Sequence, residues 1–156
     1  TKGIDAVGKI KILSSGGLEN AENADIYSEG NTIIVRAEKD ITNNGRIFVQ
    51  NKNSTNGIYG YVATGGNFVN NNIIGGDDAC IILGAMESLT NSGDVYSNKQ
   101  SVCLMALGEI ANTGNYTQLQ EFGSIFDFYS DDYPFISAGK NVVLCAGEGL
   151  RRRRDE

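Results

Sequence analysis

Six times along the chain, apolar residues fall on alternate positions and close on a small one. The triplets are Ile10, Ile12, Ser14; Ile33, Val35, Ala37; Gly60, Val62, Thr64; Ile81, Leu83, Ala85; Val102, Leu104, Ala106; and Val142, Leu144, Ala146. Alternation of this kind places the three members on one face of an extended strand. Four residues beyond each of the first five triplets stands an apolar anchor, followed two positions later by asparagine: Leu18 and Asn20, Ile41 and Asn43, Phe68 and Asn70, Leu89 and Asn91, Ile110 and Asn112. Leu150 holds the anchor place after the sixth. The steps between anchors are 23, 27, 21 and 21 residues. After the asparagine, Asn44-Gly45, Ser92-Gly93 and Thr113-Gly114 read as turns, and Asn72 stands where the glycine would be. Asparagine tolerates positive φ best after glycine, so a positive φ is expected there.

A repeat near 21 residues that ends in a turn predicts a coil of two or three short strands, each pairing in parallel with the coils above and below. The expected fold is all-β, a parallel β-helix (β-solenoid) of about six coils with an aromatic-rich insertion. At about 4.8 Å per coil the rod would be roughly 30 Å long. One coil cannot bury its apolar face alone, whereas a stack can. The asparagines Asn20, Asn43, Asn70, Asn91 and Asn112 would then stack as a structural ladder of amides. The solenoid is expected over residues 1–150 as a single domain.

The rhythm breaks between Ile110 and Leu150, a step of 40 residues. Residues 121–140 read as an insertion or a divergent coil and hold six of the 13 aromatic residues and the only proline, Pro134. Loops inserted into solenoids often lie on a binding face. Phe126, Asp127, Phe128, Tyr129, Asp131, Asp132 and Tyr133 are therefore candidate ligand or partner contacts, with rings to stack on sugars and carboxylates to accept from hydroxyls. Packing of these rings against the solenoid side is the other reading.

The positions that alternate with the triplets are also apolar. Tyr61, Ile82, Cys103, Met105, Val143 and Cys145 would form an outward stripe that needs a cover, and such a stripe is a candidate interface. The cysteines Cys80, Cys103 and Cys145 read either as small hydrophobes in strands or as sources of intermolecular disulfides.

Composition sharpens this picture. Twenty glycines, an absence of tryptophan and histidine, and few helix-forming runs agree with many short strands and tight turns. The net charge is −6, and four of the 13 cations form the run Arg151 to Arg154. With that tail's two acids also set aside, nine cations face 17 anions. An acidic body argues against nucleic acid as a partner. The tail, residues 151–156, reads as a solvated charged end. No stretch reaches the roughly 20 apolar residues of a membrane-spanning helix. The opening residues carry no signal-peptide pattern, and the chain reads as a piece of a longer protein.

Candidate chemistry is sparse. Without histidine the common catalytic triads are excluded. The adjacent carboxylates Asp77-Asp78 and Asp131-Asp132 would point to opposite faces in a strand, a poor arrangement for glycoside cleavage. No phosphate loop, dinucleotide fingerprint, calcium loop or zinc spacing occurs. The expectation is a non-enzyme with neither cofactor nor metal. Asn53 and Asn115 open Asn-x-Thr sequences, which matter only in a glycosylating host.

The copies DITNNGRI, SLTNSGDV and EIANTGNY, each preceded by an aliphatic strand ending in Ala or Thr, resemble the repeats of filamentous haemagglutinins. That family comprises two-partner-secreted adhesins and contact-dependent inhibition effectors. The resemblance spans roughly residues 9–116 and returns at 141–150. It implies a right-handed β-helical shaft, a handedness that the general crossover preference also favours. It also implies a bacterial surface or secreted location and a role in extending or presenting a binding region. Its partners would be a glycan or protein on a host or neighbouring cell. A carbohydrate-binding or carbohydrate-active module and a self-assembling fibre subunit are the alternatives. The long step from Ile41 to Phe68, the three cysteines and the aromatic insertion depart from the family pattern.

Overall fold

The computed structural model describes residues 2–113 and 136–146. Among them the chain forms 17 strands and no helix. The strands are dealt in rotation to three parallel sheets, so each coil contributes one strand to each. The first sheet holds β1 (Lys2–Ala6), β4 (Ala24–Ser28), β7 (Arg46–Val49), β10 (Ile73–Gly76), β13 (Asp94–Ser97) and β16 (Ile136–Ala138). The second holds β2 (Ile10–Ser14), β5 (Ile33–Ala37), β8 (Tyr59–Thr64), β11 (Cys80–Ala85), β14 (Val102–Ala106) and β17 (Val142–Ala146). The third holds β3 (Leu18–Asn20), β6 (Ile41–Asn43), β9 (Phe68–Asn70), β12 (Leu89–Asn91) and β15 (Ile110–Asn112). This is a parallel β-helix of about six coils.

The register follows the triplets position by position. Ile12, Val35, Val62, Leu83, Leu104 and Leu144 form one column, and Ser14, Ala37, Thr64, Ala85, Ala106 and Ala146 form the next. Equivalent residues stack because a slip of one residue would turn every apolar side chain outward. Leu18, Ile41, Phe68, Leu89 and Ile110 fill the corner under the third sheet. The first sheet adds Ile4, Ile26, Ile47, Ile74, Val95 and Ile136. In the middle coils these columns are fully buried.

The asparagines run up the interior as a single hydrogen-bonded chain. Asn20 Nδ2 donates to Asn43 Oδ1 at 2.8 Å. Asn43 donates to Asn70, Asn70 to Asn91, and Asn91 to Asn112, each at 2.7 Å. The second amide hydrogen goes to backbone: Asn70 Nδ2 also reaches the Asn72 carbonyl at 2.8 Å, and Asn91 Nδ2 the Gly93 carbonyl at 2.7 Å. Asn70 and Asn91 thus each close the turn that follows and tie it to the next coil, whereas Asn43 Nδ2 reaches the Ile73 carbonyl of the next coil at 3.3 Å.

The turn glycines serve a purpose other than the expected positive φ. Neither Gly45, Asn72 nor Gly93 has one. Instead a Cβ at Gly45 would overlap the Ala24 carbonyl, and one at Gly93 the Asn72 carbonyl. Coil-to-coil contact at this corner leaves no room for a side chain pointing that way. Asn72 sends its own side chain to the Asn44 carbonyl, donating at 3.0 Å.

The irregular steps sit in turns. Nine residues separate β7 from β8, against three between β10 and β11. Asn51 anchors this longer loop from inside. Its Oδ1 accepts from the Thr55 amide at 3.1 Å, and its Nδ2 donates to the Thr55 carbonyl at 3.1 Å and the Asp78 carbonyl at 2.5 Å. Asn51 and Ser54 take positive φ to make the bend.

Candidate interaction faces

With the interior filled, what remains for recognition among the described residues is the outside of the three sheets. On the second sheet Lys11, Ile34, Tyr61, Ile82, Cys103 and Val143 form one outward column. Leu13, Arg36, Ala63, Gly84, Met105 and Cys145 form its neighbour. The stripe expected from the sequence therefore spans two columns. Tyr61, Ile82, Cys103 and Val143 belong to the first, Met105 and Cys145 to the second. Val143 is 44% exposed and Met105 38%. Ala63 and Gly84 make a dip in the second column. Around it lies an open groove of about 510 Å³ whose apolar walls include Tyr61, Met86, Met105 and Leu107, with Arg36 and Glu38 beside them.

The cysteines share this face but not a column, since Cys80 pairs in register with Tyr59. All three are free thiols. Cys103 and Cys145 lie one strand and two residues apart, about 8 Å between Cα atoms by strand geometry. That exceeds the reach of a disulfide without backbone movement. Burial pushes the Cys103 thiol up, and the neighbouring Cys145 pushes it the same way. The folded chain thus favours the neutral thiol. The associated stability is fully present below the ordinary thiol pKa of 9.0 and is lost as pH rises through the raised folded value. Cys103→Ser is expected to flatten the alkaline limb of a stability–pH profile, read as denaturation midpoints across that range. A limb as steep as in the parent chain would exclude this assignment.

The first sheet presents a different surface, one that the repeat pattern does not announce. Tyr27, Phe48, Gly75 and Tyr96 occupy one outward column. The Tyr27 and Phe48 rings stack at 6.3 Å and 8°. Gly75 leaves a gap in which the Tyr96 ring lies, 6.1 Å from Phe48 although two coils away. A Cβ at position 75 would press on that ring at 2.9 Å. Arg46 stands 5.8 Å from both the Tyr27 and Phe48 ring centres and is paired with Asp25 at 3.2 Å. Burial pushes the Tyr96 hydroxyl up, Arg46 opposes that shift, and Asp94 adds to it.

At the corner between the first and second sheets, Asp77 pairs with Lys99 at 3.5 Å, while Asp78 accepts from Gln100 at 2.6 Å. The two adjacent carboxylates have separate partners and do not converge. Among the described residues no group of three His, Cys, Asp or Glu side chains is placed to hold a metal. No helix there is long and apolar enough to cross a membrane.

Phe126, Asp127, Phe128, Tyr129, Asp131, Asp132 and Tyr133, like the tail 151–156, lie outside the described residues. No protein-family model, no curated protein and no solved structure matches the chain.

Proposed function

We propose that this chain is a shaft segment of a bacterial surface or secreted protein, extending and presenting a binding region. The observation that supports it is the use of the interior. Aliphatic columns and the asparagine ladder run through successive coils and are spent on holding the stack together. Recognition then falls to the outer faces. The apolar outside of the second sheet suits a protein partner, and the aromatic column of the first suits a sugar. A self-assembling fibre is the second reading, favoured by the exposed Leu13 and Met105 on the outside of the second sheet.

Electron microscopy over a concentration series, beside a glycan-array screen of the same sample, tests both readings. Short rods of constant length are the expected result. Filaments that lengthen with concentration would replace the shaft with the fibre. Glycan binding that survives Tyr27→Ala and Phe48→Ala would exclude the aromatic column as the sugar contact.

A further inference from the structure

The sequence contains Asn-Gly twice in the described residues, at Asn44-Gly45 and Asn56-Gly57, and the fold treats the two in opposite ways. Asn44 lies in the ladder corner. Its Nδ2 donates to Glu19 Oε1 at 3.0 Å and its Oδ1 accepts from Asn71 Nδ2 at 2.8 Å. Its own amide donates to the Asn20 carbonyl at 2.8 Å. Gly45 is buried and wedged against the Ala21 and Ala24 carbonyls.

Asn56 sits at the tip of the loop between β7 and β8 and is exposed. Its side chain makes no hydrogen bond to any described residue. Gly57 has a φ of 76°, and the space where a Cβ would stand holds no atom within 4 Å. Its backbone N–H is not engaged in the ladder. The base of the loop is pinned by Asn51, so the freedom is confined to the tip.

We infer that Asn56 is a site of spontaneous deamidation in the native protein, and that Asn44 is protected. The Gly57 amide nitrogen, on losing its proton to hydroxide, attacks Asn56 Cγ. A C–N bond forms, the Cγ–Nδ2 bond breaks, and ammonia leaves with a proton from water. The resulting cyclic imide takes up one water. Opening at one carbonyl gives aspartate. Opening at the other gives isoaspartate, in which the main chain runs through the former side chain. No oxidant, metal or enzyme is needed. Glycine suits the step because it lacks the Cβ that would obstruct the attack and because it adopts many backbone angles. The same step at Asn44 requires Gly45 to leave its wedge and the Asn44 side chain to give up both partners.

The product matters because of where it forms. Asn56 lines a small cleft of about 160 Å³ together with Asp78, Gln100 and Lys140. Conversion places a second carboxylate beside Asp78 and within the same cleft as Lys140. On the shaft reading proposed above, this exposed loop would record the age of the chain as an irreversible change of charge.

The test is to incubate the native chain in mildly alkaline buffer, with a parallel sample in urea. Conversion at each position is followed by peptide mass mapping and by enzymatic methylation of isoaspartate. In urea the two sites should react at similar rates. In the native chain Asn56 should outpace Asn44 by at least about tenfold, the factor that the net worth of one or two hydrogen bonds supplies when the ladder must open first. Gly57→Ala should slow the reaction at Asn56 and leave Asn44 unchanged. Equal native rates, a native Asn56 that stays intact while the urea sample converts, or a Gly57→Ala chain that reacts as fast as the parent would each overturn the assignment.

Discussion

Phe68→Ala lowers the stability of the stack by about 3–5 kcal/mol, the range for removing a fully buried aromatic ring. Among the described residues Phe68 is the largest wholly buried side chain, and in its column it stands between Ile41 and Leu89. Those neighbours are held in register by parallel pairing and cannot slide into the space. The site therefore collapses poorly, which places the expected cost toward the upper part of the range. The loss should appear as a lower denaturant midpoint. Because coils contact mainly their neighbours, it should also appear as faster amide exchange concentrated in β6, β9 and β12. A loss below about 1 kcal/mol would mean that the corner is looser than this packing implies.

Asn70→Ala has a comparable effect by another route. Asn70 is fully buried and both accepts from Asn43 and donates to Asn91. Removing it strips Asn43 Nδ2 of one acceptor and Asn91 Oδ1 of a donor. At roughly 1–3 kcal/mol for each buried group left unsatisfied, the expected loss is about 2–4 kcal/mol, since Asn43 Nδ2 keeps the Ile73 carbonyl at 3.3 Å. Asn70→Asp discriminates more sharply. A carboxylate at position 70 still accepts from Asn43 but faces Asn91 Oδ1 with an oxygen. Burial raises its pKa, so stability should be retained at low pH, where a protonated acid can donate to Asn91, and lost as pH rises through the raised value. Chemical denaturation of the two variants from acidic to neutral pH reads this directly. A pH-independent loss for Asn70→Asp would show that the ladder bond to Asn91 contributes little.

The second and third sheets were legible in the chain because each of their coils repeats the same offsets. The triplet, the anchor four residues on and the asparagine two beyond that are fixed in number, and the strands follow. The first sheet left a fainter trace. Its inward residues Ile47, Ile74 and Val95 all stand four residues after a ladder asparagine, but Ile26 stands six after Asn20, because the turn at Asn23 is longer. One irregular turn was enough to hide the column. The aromatic cluster outside it was hidden for a different reason. Tyr27, Phe48 and Tyr96 are not evenly spaced coil by coil, and only the space above Gly75 lets Tyr96 close the gap. The triplet offsets also carry the columns of two of the cysteines, since Cys103 lies between Val102 and Leu104 and Cys145 between Leu144 and Ala146. At the ladder corner the sequence marks the place of the glycines but not their purpose, since a close approach between coils leaves the same mark in a sequence as a positive φ.

The asparagine ladder has a direction. From Asn20 to Asn91 each amide hands a hydrogen to the coil that follows it in the chain, and from Asn43 to Asn112 each takes one from the coil before. A coil laid on the stack upside down would set carbonyl against carbonyl in a buried corner of the rod, where Asn43, Asn70 and Asn91 are shut off from solvent. The row of amides therefore works like a one-way ratchet for assembly: each finished coil offers its successor a template that accepts only one orientation and one register. A chain that emerges gradually from a narrow opening, N-terminus first, would find each new turn checked by the one already in place.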